Sequence, residues 1–181
     1  MSLLEISTKL EDSADLHAGR ILLLMDAFSG EDDDGVEGLT KLAKLDFLLR
    51  YPVALERMLS FQGHKTTEAE VKAHERGSVE STMIRYRYGP WDPRHRKLVN
   101  LLVAKGLATV LTGGRTVIFR TTVAGKDAAA KLRQADEFAA VDARAKVLAK
   151  RFDIGGTALM KKVYEVFPEI SSLSSGAEID L

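Results

Sequence analysis

Residues 85–120 read RYRYGPWDPRHRKLVNLLVAKGLATVLTGGRTVIFR, and this stretch decides the fold. Pro93 suits the first turn of a helix, with Asp92 just before it as a cap. Leu98, Leu101, Leu102 and Lys105 follow helical spacing, and Gly106 stands where a C-terminal cap glycine belongs. Two short apolar runs follow, Leu107 to Leu111 and Thr116 to Arg120, separated by Thr112-Gly113-Gly114-Arg115. Gly-Gly tolerates the positive φ angles of a tight hairpin turn. The spacing therefore predicts a helix at about 93–105 feeding a two-stranded wing at about 107–120. A recognition helix followed by a wing is the core of a winged-helix domain.

Outward from this unit, the chain reads as mainly α with a small β-hairpin. Asp15 to Phe28 has a broad apolar face of Leu16, Ile21, Leu23, Leu24 and Phe28. Residues 1–14 read as loosely ordered. The acidic loop from Ser29 to Gly35 lacks the alternating ligands and closing Glu of a calcium loop, so it reads as a solvated turn. Gly38 to Arg50, GLTKLAKLDFLLR, has a stripe of Leu39, Leu42, Leu45, Leu48 and Leu49, with Lys41, Lys44 and Arg50 expected in water. Asp46 sits among apolar neighbours on that helix, where a carboxylate serves structure by holding a nearby arginine. Tyr51-Pro52 ends the helix, and Pro52 opens another through Leu59.

Phe61 to Arg76 reads as a polar connector with one helical turn, and Ser78 to Ser81 as the start of a short helix reaching Ile84. Ile84 to Tyr88 alternates as a short strand, and Gly89-Pro90-Trp91 reads as a sharp turn. From Thr122 one long helix is expected to Phe152, its stripe beginning at Val123. Asp153 to Thr157 breaks it, a last helix runs to Phe167, and Pro168 stops that one. Residues 1–121 are thus a winged-helix domain, 122–170 a C-terminal helical extension, and 171–181 a tail expected to fray.

The 181 residues contain no cysteine, which excludes disulfides and thiolate metal sites. No apolar run approaches a membrane span and no signal pattern opens the chain, so a cytoplasmic protein is expected. None of the four histidines, His17, His64, His74 and His95, has a second ligand at metal-binding spacing. No nucleophile elbow or phosphate loop is present, so neither an enzyme nor a cofactor is expected. The positive signal is charge. The formal net charge is zero, yet Thr82 to Arg133 holds 11 Lys/Arg against Asp92 and Asp127, while the remainder holds 15 against 24 acids. A basic block over a helix and wing is a footprint for nucleic acid, or for an acidic protein partner. Arg94, Lys97 and Asn100 are expected to face outward from the helix with Arg96 on its flank, and Arg115 to stand at the wing tip. Arg85 and Arg87 extend the basic edge. These residues are the candidate interface to DNA or protein.

KLAKLDFLLRYP, YGPWDP, the KGL helix end and the YEVFPEI ending together resemble the middle components of bacterial ABC-three-component systems, the class that includes the accessory subunit of Lamassu-type anti-phage defence. YGPW followed by KGL is also similar to Panacea-type antitoxin domains. The resemblance implies a non-enzymatic winged-helix subunit between an SMC-like ATPase and an effector protein. The rival reading is a homodimeric winged-helix transcription regulator on duplex DNA, its C-terminal helices forming the dimer interface as in MarR-like proteins. A third is an antitoxin-like module that contacts a toxin directly.

Overall fold

The computed structural model describes residues 13–30, 35–76, 82–87 and 89–181. The expectations for residues 1–12, for the acidic centre of the 29–35 loop, and for a helix beginning at 78–81 lie outside the described residues. The chain is mainly helical with two small antiparallel sheets. Helix α1 (Ala14–Phe28) leads into β1 (Val36–Glu37), α2 (Gly38–Arg50) and α3 (Pro52–Phe61). Two 3-10 turns follow, Thr66–Ala69 and Ala73–Arg76, where the composition predicts one helical turn. Next come β2 (Ile84–Tyr86), β3 (Gly89–Trp91), α4 (His95–Ala104), β4 (Ala108–Gly113) and β5 (Thr116–Thr121). The chain closes with α5 (Val123–Leu132), α6 (Asp136–Phe152), α7 (Gly156–Val166) and α8 (Pro168–Ser172). No helix among the described residues is long and apolar enough to cross a membrane.

The hairpin of residues 107–120 forms as its residues dictate, while the helix before it opens at His95, with Arg94 in place of the expected Asp92 at its N-cap. Gly106 takes φ +71°, and the N–H of Leu107 returns to the carbonyl of Leu102 at 2.9 Å, closing α4 with a left-handed glycine. Gly113 pairs with Thr116 across β4 and β5, leaving Gly114 and Arg115 as the two-residue turn. Strand β1 adds to β5, with Val36 opposite Phe119, so the sheet runs β1-β5-β4. Period-2 alternation then puts Val36, Phe119, Val110 and Val117 on one face, and that face meets the helices.

Helix α2 lies at the centre. It packs against α1, α3, α4, α6 and α7, and against β1, β3 and β5. This corrects the expectation for its polar residues: Lys41, Lys44 and Arg50 are buried, not wet. Surrounded on several sides, the helix has no face left for water, and each buried charge requires a local answer. Lys41 finds one in Asp153, at 2.7 Å, where α6 gives way to α7.

The expected single helix from 122 to 152 is two. Thr122 caps α5, accepting the N–H of Gly125 at 3.0 Å. Gly125 is the residue this joint requires, because a Cβ there would lie 1.9 Å from the Leu107 carbonyl oxygen. The helix stops at Leu132, and Arg133 bridges Asp26 on α1 (2.5 Å) and Asp142 on α6 (2.7 Å). Asp136 and Glu137 open α6, where acidic residues complement the helix dipole. The break turns α6 back onto α1, with the Phe138 ring against Gly19. Val123, placed in the apolar stripe, instead stands 80% exposed at the start of α5.

Two further expectations fall near the C-terminus. Pro168 ends α7 but also occupies the first turn of α8. The tail does not fray: it docks. Ile179 is fully buried, its N–H bonds the Met83 carbonyl, and Arg85 N–H bonds the Ala177 carbonyl at 2.8 Å. Gly89-Pro90-Trp91, expected as a turn, is strand β3, paired antiparallel with β2. One hydroxyl holds this corner: Tyr51 Oη donates to Ile179 O (2.9 Å) and accepts from Met83 N–H (2.8 Å). Tyr51→Phe is therefore expected to lower unfolding free energy by about 1–3 kcal/mol in denaturant titration, with the C-terminal segment gaining hydrogen exchange first.

Candidate interaction surface

Helix α4 is positioned from below by a buried ionic cluster. Asp46 on α2 is fully buried, and three side chains from three helices converge on it. Arg20 of α1 donates its Nε–H to Oδ1 at 2.7 Å, and Arg50 of α2 donates to Oδ2 at 2.6 and 2.9 Å. His95 of α4 places Nε2 2.8 Å from Oδ2. A carboxylate only accepts, so that nitrogen carries the proton. Arg50 also reaches Asp92 Oδ2 at 2.6 Å, and Asp92 accepts the backbone N–H of Arg94 at 2.8 Å. Burial alone raises the pKa of Asp46, but the Arg20 and Arg50 guanidiniums and the His95 hydrogen bond outweigh it and hold the carboxyl well below its ordinary value. Burial likewise raises the Asp92 pKa, and its hydrogen bond from Arg94 and the Arg50 charge more than reverse this.

The cluster sorts the residues of the basic stretch. His95, Leu98, Val99 and Leu102 face inward, while Arg96, Lys97 and Asn100 are exposed. Arg94 does not face outward with them. Its guanidinium lies on Asp92 at 2.9 Å and beside His17 at 3.0 Å, so it belongs to the support. Arg115 stands exposed in the hairpin turn. Arg85 lies on β2, where its backbone pairs with the docked tail, Arg87 is exposed just after that strand, and neither lines the groove between α4 and the hairpin. The +9 block is also partly answered within the fold, since Arg133 is paired and Lys105 lies 3.7 Å from Asp15.

Between α4 and the β4–β5 hairpin runs a groove of about 550 Å³. Leu39, Val99, Val110, Val117 and Phe119 form its apolar surface, with Arg96, Asn100 and Arg115 also lining it. The groove exists because the inward face of the hairpin continues beyond the helix it covers. Val110 is 42% and Val117 37% exposed, and Val103 and Leu111 nearby are similarly open. The sequence reading selects the cations of this surface and misses its apolar floor. The signal is present, since Val110, Val117 and Phe119 share one strand face by alternation, but alternation alone does not say where the core ends.

A second, smaller cavity of about 230 Å³ adjoins the groove and shares Leu39 and Arg96 with it. Thr40, Lys44, Tyr86, Gly89 and Trp91 complete its lining. Gly89 has φ +96°, and a Cβ there would press on Lys44 Cε and the Tyr164 ring at 3.4–3.5 Å. Burial pushes the Lys44 amine down to about 8.

Comparison with protein-family models, curated proteins and solved structures found no match for this chain.

Two pH-dependent outcomes follow from the buried charges. Asp46, faced by Arg20, Arg50 and His95, has a depressed pKa, so its stabilisation is present above the unfolded value of about 3.9 and is lost as pH falls below it. Asp46→Asn is expected to destabilise the protein by about 3–5 kcal/mol at pH 7. Its acid limb should also be shallower than the parent's, though not flat, because Asp92 still titrates there. Lys44 behaves oppositely. Its folded pKa is about 8 against 10.5, so below pH 8 the folded state carries the full cost of a desolvated ammonium, relieved as pH rises toward 10.5. Lys44→Met should thus be more stable than the parent at pH 7, by up to about 3 kcal/mol. The difference should narrow above pH 8; among the described residues, Tyr86 and Arg96 line the same cavity and the Tyr164 ring lies close by. Thermal or urea unfolding at stepped pH reads both effects.

Proposed function

We propose that this chain is a non-enzymatic accessory subunit that docks a partner protein in the groove between α4 and the β4–β5 hairpin. The observation that carries this reading is the groove itself: an apolar floor of Leu39, Val99, Val110, Val117 and Phe119 with Arg96 and Arg115 beside it. Exposed aliphatic side chains gain little against phosphates, whereas they match the apolar anchors of an amphipathic segment. The flanking guanidiniums select anchors with acidic neighbours. The order α1, β1, α2, α3, then after the β2–β3 pair α4 and a hairpin, with β1 joining β5, supports a winged-helix reading of residues 14–121. With the resemblance of the KLDFLLRYP and YGPWDP segments to ABC-three-component middle subunits, the reading becomes a bridge between an SMC-like ATPase and an effector in an anti-phage complex.

One observation favours a second reading, a winged-helix regulator on duplex DNA. Arg96, Lys97 and Asn100 are exposed on one helix, and Arg115 is exposed at the hairpin turn. That set has the composition of a major-groove helix with a phosphate-contacting wing. In a homodimer, the C-terminal helices would have to associate through surface beyond the faces that α6 and α7 already pack on α1 and α2.

A neighbouring gene for an SMC-like ATPase would supply the partner to test. Co-purification with that ATPase is expected to survive Arg96→Ala/Lys97→Ala/Arg115→Ala with at most a modest loss, and to be abolished by Val110→Asp/Val117→Asp with the thermal transition retained. Duplex binding that weakens steeply with salt, with a log–log slope that shrinks by about 3 in the triple Ala variant, would replace the docking reading with the DNA one.

A further inference from the structure

Among the described residues, five lysines and arginines are buried, and four of them face a carboxylate. Arg20 and Arg50 lie on Asp46, Lys41 on Asp153, and Arg144 on Glu75. Lys44 is the fifth. It is 1% exposed, and its ammonium donates to the neutral carbonyl of Pro90 at 3.1 Å. It also lines the 230 Å³ cavity, together with Arg96, and none of the cavity's lining residues is acidic. Two cations thus share one small cavity, with no counter-charge among the described residues that line it.

We propose that this cavity binds a compact monocarboxylate carried on a flat apolar body, with Lys44 and Arg96 taking the carboxylate and Tyr86 and Trp91 taking the ring. Four features define that ligand. The volume lies below the range of drug-sized sites, which leaves room for one small group and not for a folded segment. Tyr86 and Trp91 form an aromatic pair, with ring centroids 6.2 Å apart, beside the two cations. Thr40 adds a hydroxyl to the lining. Phosphate has no flat apolar body to lie against Tyr86 and Trp91, so a carboxylate carried on a ring fits the lining better. The depressed pKa of Lys44 agrees with this arrangement, because an arriving carboxylate replaces the missing counter-charge and restores the ammonium. The assignment stands on Lys44 and its cavity, and it holds whether the adjoining groove docks protein or DNA.

Trp91 is the single tryptophan and lines the cavity, so its emission reports occupancy. The full chain is titrated with benzoate, with benzamide as the uncharged match and inorganic phosphate as the dianion. A short peptide ending in phenylalanine is added in free-acid and amidated forms. Saturable change with benzoate and none with benzamide or phosphate is expected. Lys44→Met should abolish it with thermal stability kept or raised, and Arg96→Gln should weaken it about tenfold or more. Calorimetry near pH 8 in two buffers of different ionisation enthalpy should show proton uptake on binding. A response to benzoate alone marks a free small acid as the source of the carboxylate. A response to the free-acid peptide alone marks a polypeptide C-terminus. No saturable response to either acid, equal responses to benzoate and benzamide, or unaltered binding in Lys44→Met would overturn the proposal.

Discussion

A carboxylate taken wholly out of water is tolerated only if cations and hydrogen-bond donors replace its hydration, and Asp46 imposes that constraint on the centre of this protein. Its partners come from three helices: Arg20 from α1, Arg50 from its own α2, and His95 from α4. A turn's displacement of α4 would remove His95 from Asp46 and separate Asp92 from Arg50. The cluster therefore sets the register of α4 against α1 and α2. Apolar packing by Leu98, Val99 and Leu102 tolerates small slides more readily than a directional hydrogen bond does. The orientation of α4 in turn determines which of its residues meet solvent.

With α4 held in this way, the groove follows from the hairpin. Val36, Phe119, Val110 and Val117 share a strand face, but only its inner part is covered by helices. The outer part remains an apolar shelf beside Arg96 and Arg115. Lys44 stands in contrast to Asp46. The two lie two positions apart on α2, which at 3.6 residues per turn sets them on roughly opposite sides of the helix. The Asp46 cluster answers its charge from within the fold, and the Lys44 cavity leaves its charge to a neutral carbonyl. The first arrangement serves stability, and the second holds stability back at neutral pH.

The differences between expectation and fold share one cause. Lys41 and Lys44 are buried because α6, α7 and β3 pack against α2 from later in the chain, and Arg50, on the Asp46 side, because Asp92 and α4 cover it there. The residues from Ser171 onward have the composition of a fraying end, yet Ile179 is buried and the Tyr51 hydroxyl bonds its carbonyl. The break at Arg133 depends on Asp26, more than a hundred residues away, as well as on nearby Asp142. Each of these outcomes rests on partners distant in sequence, to which helical periodicity and turn composition are blind.

Local chemistry was sufficient where the deciding forces are local. The left-handed Gly106, the Gly114-Arg115 turn, the limits of α2 and the structural use of Asp46 were all legible from residue type and spacing. So was the exposure of Arg96, Lys97, Asn100 and Arg115. Only the tertiary structure decided that Arg94 turns back to Asp92 and His17, that Arg85 and Arg87 lie apart from the groove, and that Lys44 is buried beside Trp91. Backbone conformation is set within a few residues, whereas burial and charge pairing are set by whichever segments the whole chain brings together.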